Sequence, residues 1–374
     1  MKKLLFRLQH LAKSDIIKIV IFSLIFISAV VASYFIFSLK KVFVETPPSQ
    51  EETSDVTPVA SPSGDFINVL LLGYGGAGHD GGSLMDTIIL VSLETKEKKA
   101  ALISVPRDLW VSVPTDFDST TKHKINEAYA LALDTRYPNK KPEFKGEAGG
   151  WALMKDAVGR VIGIPPQYFI SVDFTGFKKA IEVLGDVAVN VPKTYDDYFY
   201  PVKGKELELC DKSPEEITEL HQKYSGFELE KQFTCRYEHI HFDKGMVTMD
   251  AETALKYVRS RHGDGDFGRS ERGFALLSAI ADKAVSLGAI PKGGKLLNSL
   301  VATTRTDLDA EAIKDLLKLL GKPEDYKMVQ IHLTEDNVLK SGKGPSGEFI
   351  LYPKDGMDNF TRVRNFISET ITSF

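Results

Sequence analysis

Between residues 257 and 273 the chain reads YVRSRHGDGDFGRSERG, which gathers Arg259, Arg261, Arg269 and Arg272 into one short stretch. Arg259 and Arg261 are two apart, about 200° around a helix, so they converge on one ligand only if the chain has left the helix and become extended there. Arg269 and Arg272 are three apart at the start of an apolar-periodic stretch (Phe274, Leu277, Ala279, Ile280, Ala284), which puts them on one face of a helix's first turn. Arginine is unfavourable beside the positive end of a helix dipole unless an anion or carboxylates reverse the balance. Guanidinium forks match phosphate oxygens and a helix N-terminus adds backbone donors, so a pyrophosphate suits the group. A solvated set paired with Asp264, Asp266 and Glu271 is the alternative.

A second group precedes it. Gly73-Tyr-Gly75-Gly-Ala-Gly78 matches GxGxxG, yet the chain continues HDGGSLMDTIILVSL, loop and then strand, where a dinucleotide-binding turn must open a helix. A P-loop is excluded because no GK[ST] follows. What remains is a glycine-rich loop at a strand's C-terminal end, either a plain connection or a place where backbone N–H groups approach an anion. The loop runs into Asp86, with His79 and Asp80 nearby. Hard oxygen ligands beside a phosphate suggest Mg²⁺, which takes one or two carboxylates and completes its shell with water and phosphate. A surface carboxylate and a solvated loop histidine are the plain readings of Asp86 and His79. Arg107, in Ser-Val-Pro-Arg-Asp, stands just after a strand, where open α/β sheets place ligands; Asp108 could hold it there.

These residues need a sheet to position them. FINVLLL (66–72), TIILVSL (87–93) and AALISV (100–105) are short, near-continuously apolar runs, as in strands covered on both faces. A three-layer α/β/α sandwich follows, around a mixed sheet because the turn ETKEKK is short enough for a hairpin. Helices are expected at 150–162, 174–184, 250–258 and 270–287, with Asp250 capping the third. A helix at 309–320, the strands YKMVQIHL and EFILYP and a closing helix from about Met357 make 291–374 a C-terminal α/β extension of the same domain, whose main body spans 66–290.

With 43% apolar and 26% charged residues the chain is a folded protein, and a net charge of −4 gives no sign of a nucleic-acid partner. Residues 16–39 carry Lys18 as their sole charge and, at about 1.5 Å per residue, are long enough to span a bilayer. Lys2, Lys3, Arg7 and Lys13 precede that stretch, so the positive-inside rule predicts a cytoplasmic tail at 1–15, an uncleaved anchor and an extracytoplasmic remainder. Residues 40–65, rich in Pro, Ser, Thr and Glu, read as a linker. An insertion at 195–241 holds both cysteines; outside the membrane, Cys210 and Cys235 can pair as a disulfide, and a zinc site from Cys210, Cys235, His239 and His241 is the lesser alternative.

In order behind the apolar stretch, NVLLLG, MDTIILVSL, ISVPRD, KINEAY, ISVDFTGF, LGDVAVNVP, MDAETALKYVRSRH and DFGRSER resemble the LytR-CpsA-Psr family of cell-wall ligases across 68–280. The resemblance implies an extracytoplasmic domain that holds a polyprenyl-pyrophosphate-linked glycan in a long apolar pocket. It also implies transfer of the glycan-phosphate to a peptidoglycan sugar hydroxyl, with Mg²⁺ or Mn²⁺ as cofactor. By position, Asp86 is similar to the family's second metal-binding aspartate and Arg107 to its strand-end arginine, while Lys124, expected to contact the pyrophosphate, and Asn126 fall in a K-x-N motif. Arg259, Arg261 and Arg269 are similar to pyrophosphate-binding arginines, and Asp266 to the acidic residue before the last of them. On that basis Arg107 and Arg261 neutralise charge and Asp266 is the expected base, while Arg272, grouped by charge geometry alone, is expected to assist binding. The pattern departs at Gly75, where the first metal-binding aspartate is expected, at Leu84 and at Gly273. His79 or Asp80 could fill the vacant metal position; otherwise the chain binds polyprenyl phosphate without catalysis. A phosphatase acting on the same carrier is a further alternative.

Overall fold

Near-continuous apolar runs end up inside a sheet because a strand covered on both faces must bury alternate side chains in opposite directions. The computed structural model describes residues 66–79, 81–263, 265–286, 304–308 and 325–374. The expected tail, span and linker at 1–65, Asp80, the side chain of Asp266 and the helix at 309–320 lie outside the described residues. Among the described residues no helix is long and apolar enough to cross a membrane.

Along the chain come β1 (Phe66–Tyr74), β2 (Met85–Glu94), β3 (Lys99–Ser104), β4 (Trp110–Pro114), β5 (Thr120–Lys124), α1 (Ala128–Leu133) and α2 (Gly146–Ile162). Next are β6 (Tyr168–Asp173), α3 (Phe174–Leu184), β7 (Val187–Val191), β8 (Tyr195–Pro201), α4 (Pro214–Lys223), α5 (Gly226–Glu230), β9 (Tyr237–Phe242) and β10 (Gly245–Met249). α6 (Ala251–Arg259), α7 (Gly265–Ser286), β11 (Thr304–Thr306), β12 (Lys327–His332), β13 (Leu339–Lys343), β14 (Phe349–Pro353) and α8 (Thr361–Thr372) complete the described part.

The central sheet runs β11-β6-β1-β2-β3-β12. It is mixed, as the short ETKEKK turn required: β1, β2 and β3 are antiparallel neighbours, while β6 joins β1 and β12 joins β3 in parallel. Leu70, Leu72, Leu90, Ala101, Ile103 and Ile331 point to one face and meet Trp151, Leu153 and Val158 of α2 and Val363 and Ile367 of α8. Ser104 and His332, one position along from Ile103 and Ile331, therefore point to the other face. There they meet α7: Ser104 Oγ donates to Ser270 Oγ at 3.1 Å and the His332 ring lies 4.9 Å from Phe274. A second core joins Ile181 of α3, Val187 and Val189 of β7, Tyr257 of α6 and Leu276 of α7.

Two elements differ from expectation. α7 begins at Gly265, five residues before the start expected at 270, so Asp266 and Arg269 both fall in its opening turns. The β4–β5 hairpin was not foreseen, because TTKHK carries no apolar pattern; it is fixed by pairing from Trp110↔Lys124 to Pro114↔Thr120. In the insertion, Cys210 and Cys235 form a disulfide with 5.5 Å between their Cα atoms, so the four-residue zinc alternative is withdrawn.

Candidate active site

The parallel strands β1, β6, β3 and β12 end on the same side, and the chemistry gathers there, outside their carboxyl ends. Asp86 gets its place from an irregularity in pairing. Gly73 pairs with Thr87 and Tyr74 with Met85, so Asp86 is the extra residue of a β-bulge. Bulges re-aim a side chain, and here Met85 and Ile88, three apart, both reach the same core while Asp86 is left at the sheet end.

Arg107 arrives on the turn after β3 and places Nη1 2.5 Å from Asp86 Oδ1. Arg261 approaches the same oxygen with Nη2 at 3.2 Å. The Arg107 turn is held by its backbone: the carbonyls of Arg107, Asp108 and Leu109 accept from the N–H groups of Asn126, Leu351 and Ile125 at 3.3, 2.9 and 2.7 Å. Lys124 Nζ donates to Asp108 Oδ1 at 2.6 Å, and Asp108 Oδ2 lies 3.4 Å from Arg107 Nε. Lys124, read from sequence as a substrate contact, is thus engaged in holding the residue that steadies Arg107.

The expected break after Arg259 is present. α6 ends there, and Ser260 adopts φ −57° and ψ 143°, so Arg259 and Arg261 part company at an extended residue. They meet different partners. The Arg259 guanidinium lies over the Phe174 ring at 4.5 Å and donates to Tyr200 Oη at 3.4 Å, whereas Arg261 turns to Asp86. His79 meets the same Phe174 ring, edge on, at 5.1 Å. Burial, then the charges of Arg259 and Lys203, push the His79 imidazole below its ordinary pKa. A Cβ added at Gly75 would stand 3.0 Å from His79 Cβ, so His79 is packed against the position where the family pattern has its first aspartate.

Arg269 lines a cavity of about 380 Å³ with Asp86, Arg107 and the apolar side chains of Ile89, Val105, Leu333 and Phe349. Arg272, grouped with it in sequence, is 2% exposed. Its Nε donates to the Tyr257 carbonyl at 2.7 Å and Nη2 to the Ser260 carbonyl at 2.5 Å, while the guanidinium stacks 4.1 Å from the Tyr195 ring. A cation serving the last carbonyls of α6 is favoured by the helix dipole. Arg272 accordingly positions the Arg259–Arg261 segment and does not line the cavity.

Sequence reasoning missed Asp197. Its carboxylate accepts from Ser260 Oγ and from the backbone N–H groups of Arg261 and His262 at 3.2 and 3.3 Å. Burial alone would raise its pKa, yet those donors and the Phe199 N–H together hold it below the ordinary carboxylate value. Nothing in YDDYFY marked it. The C-terminal wall of the cavity, His332 to Asp336 with Phe349 and Leu351, was also unforeseen. Phe174 carried a signal in ISVDFTGF, but its place under Arg259 follows only from the fold.

For Mg²⁺ the donor set is sparse but suitable. Asp86 supplies one carboxylate, partly exposed among guanidiniums, and Mg²⁺ commonly uses one or two carboxylates with water and substrate phosphate. Asp86 is the described residue that would hold it.

The LytR_cpsA_psr family profile matches residues 33–347, most of the chain. The chain belongs to the LytR_cpsA_psr family. Among curated relatives, it is 27% identical over 255 residues to the polyisoprenyl-teichoic acid–peptidoglycan teichoic acid transferase TagU of Oceanobacillus iheyensis, covering 68% of this chain and 62% of that protein, under two thirds of the relative's length. It is 28% identical over 279 residues to the corresponding transferase TagT of Bacillus subtilis, covering 73% of this chain and 69% of TagT. Among solved structures, Bacillus subtilis TagV superposes with a TM-score of 0.53 at 24% identity, covering 82% of this chain and 97% of TagV, which shows that the family fold is shared.

Proposed function

We propose that the chain is a glycopolymer phosphotransferase that moves a glycan-phosphate from a polyprenyl-pyrophosphate carrier to a sugar hydroxyl of peptidoglycan. The observation that carries this reading is the convergence of Arg107 and Arg261 on the bulge residue Asp86 at the carboxyl end of the sheet. Family membership supports it, since the curated relatives are named as transferases of teichoic acid to peptidoglycan.

Phosphoryl transfer needs charge neutralisation, alignment and a place for one proton. Arg107 and Arg261 would grip the pyrophosphate oxygens, and Arg269 faces the same cavity. Its apolar lining of Ile89, Val105, Leu333 and Phe349 suits the first isoprene units beside the phosphates. Bound at Asp86, Mg²⁺ would supply further neutralisation of phosphate charge. The acceptor oxygen bonds to the phosphorus that carries the glycan, the bond to polyprenyl phosphate breaks, and Asp266 in the opening turn of α7 takes the hydroxyl proton. Residues 16–39 would anchor the domain to the membrane that holds the carrier, with the N-terminus cytoplasmic and the large domain outside.

Gly75 favours a second reading, a polyprenyl-phosphate binding protein without turnover, because the first metal carboxylate is replaced and His79 packs against that position. Release of polyprenyl phosphate by the full chain in detergent micelles, with and without Mg²⁺, separates the two. Turnover is expected with Mg²⁺ and should fall about 10²–10³-fold in Asp86→Ala and Arg261→Ala. Tight carrier binding with no release under any metal would leave the binding protein.

A further inference from the structure

We infer that Asp196, His239 and His241 form a binding site for a divalent transition metal of the Zn²⁺ class on the outer face of the β8–β9 hairpin, separate from the sheet-end site. The hairpin builds the arrangement. His239 and His241 are two apart on β9, so both side chains leave the same face, and Asp196 is the cross-strand partner of His241 on β8. His239 Nε2 lies 2.7 Å and His241 Nδ1 2.8 Å from the same oxygen, Asp196 Oδ1. One ligand atom from each residue falls within 4.8 Å of the other two, the sole such grouping of His, Cys, Asp and Glu among the described residues.

The surroundings orient these groups as a metal requires. His241 turns Nδ1 inward and presents Nε2 to Asp243 Oδ1 at 3.3 Å, the carboxylate–histidine relay that fixes the ring and its tautomer beside a metal. His239 is stacked on Tyr198, ring centroids 4.1 Å apart and planes 2° from parallel, so its free rotation is already restricted. In a tetrahedral site with bonds of about 2.0–2.1 Å, neighbouring ligand atoms stand roughly 3.3 Å apart, so the two histidine–Asp196 separations need to open by about half an ångström. Two imidazoles and one carboxylate suit Zn²⁺, Ni²⁺ or Cu²⁺ and not Mg²⁺, which prefers oxygen alone. Three protein ligands leave a position for water.

The site also has a structural consequence. Asp196 immediately precedes Asp197, whose carboxylate holds the backbone of Arg261 and His262. A metal clamped between β8 and β9 would brace the strand that supplies that carboxylate.

Cobalt(II) is the probe. Added to the metal-free, untagged full chain in detergent micelles, Co²⁺ is expected to bind one equivalent with a visible absorption band of low coordination number and to be displaced by Zn²⁺. The double variant His239→Ala/His241→Ala should lose about 100-fold or more in affinity, and Asp243→Asn about tenfold. Asp86→Ala should leave the band unchanged, which distinguishes this site from the sheet-end carboxylate. All four side chains are at least partly exposed, so circular dichroism should show each variant folded. Equal Co²⁺ affinity in wild type and double variant, or no Co²⁺ bound at all, would overturn the proposal.

Discussion

Arg269 and Arg272 lie within one turn of each other on α7 yet serve different ends. Replacing Arg272 by Ala strands the carbonyls of Tyr257 and Ser260 in the core and should cost about 3 kcal/mol in denaturant unfolding, because buried acceptors that lose a charged donor are expensive. Arg269→Ala should leave the unfolding midpoint within about 0.5 kcal/mol of wild type while weakening carrier binding. Equal destabilisation by both would contradict the division. Sequence grouped them because a spacing of three reports a shared helix face but not what that face meets; Tyr195, which stacks on Arg272, comes from a distant strand. Arg107→Lys tests geometry at constant charge: a single ammonium cannot reproduce the guanidinium contacts to Asp86 and Asp108, so turnover should fall at least tenfold. Asp86, Arg107 and Arg261, singled out in sequence by residue type, are brought together at the sheet end. The pairing of Lys124 with Asp108 was not legible, because Asp108 was assigned in sequence to Arg107 alone.

At the scale of elements, the loop after α6 is the device that aims Arg261, and Asp197 secures it. The Asp197 pKa is depressed in the folded state, so its contribution is present above the unfolded value near pH 4 and is lost as pH falls through the lower folded value. Acid titration of stability should therefore show a slope below about pH 4 that is diminished in Asp197→Asn. An identical acid limb in the variant would remove Asp197 from this role. The insertion makes its own test. Cys210 and Cys235 close a loop with a sequence separation of 25, for which chain entropy gives about 3.5 kcal/mol, so mild reduction should loosen α4 and α5 in hydrogen exchange before the central sheet. Strands with continuous apolar runs and helices with clear periodicity were readable. The β4–β5 and β13–β14 hairpins were less so, since TTKHK and LKSGK are polar and owe their form to cross-strand pairing.

For the molecule as a whole, the C-terminal extension contributes a strand to the central sheet. β12 pairs with β3 from Lys327↔Lys99 to His332↔Ser104, and the segment that follows it walls the cavity. Phe349, exposed by 50% and facing that cavity, can be replaced by Ala with little effect on stability, whereas carrier affinity should drop several-fold. Sequence showed the α/β alternation of this extension but not its place, because strand order depends on which sheet edge remains open after the rest has folded.

The most direct test follows the glycan itself. With a labelled polyprenyl-pyrophosphate glycan, Mg²⁺ and peptidoglycan, the full chain should attach label to the wall polymer through a phosphodiester, with one polyprenyl phosphate released per glycan transferred. Release of the label as free glycan-phosphate at the same rate with or without acceptor would contradict transfer and make the protein a hydrolase.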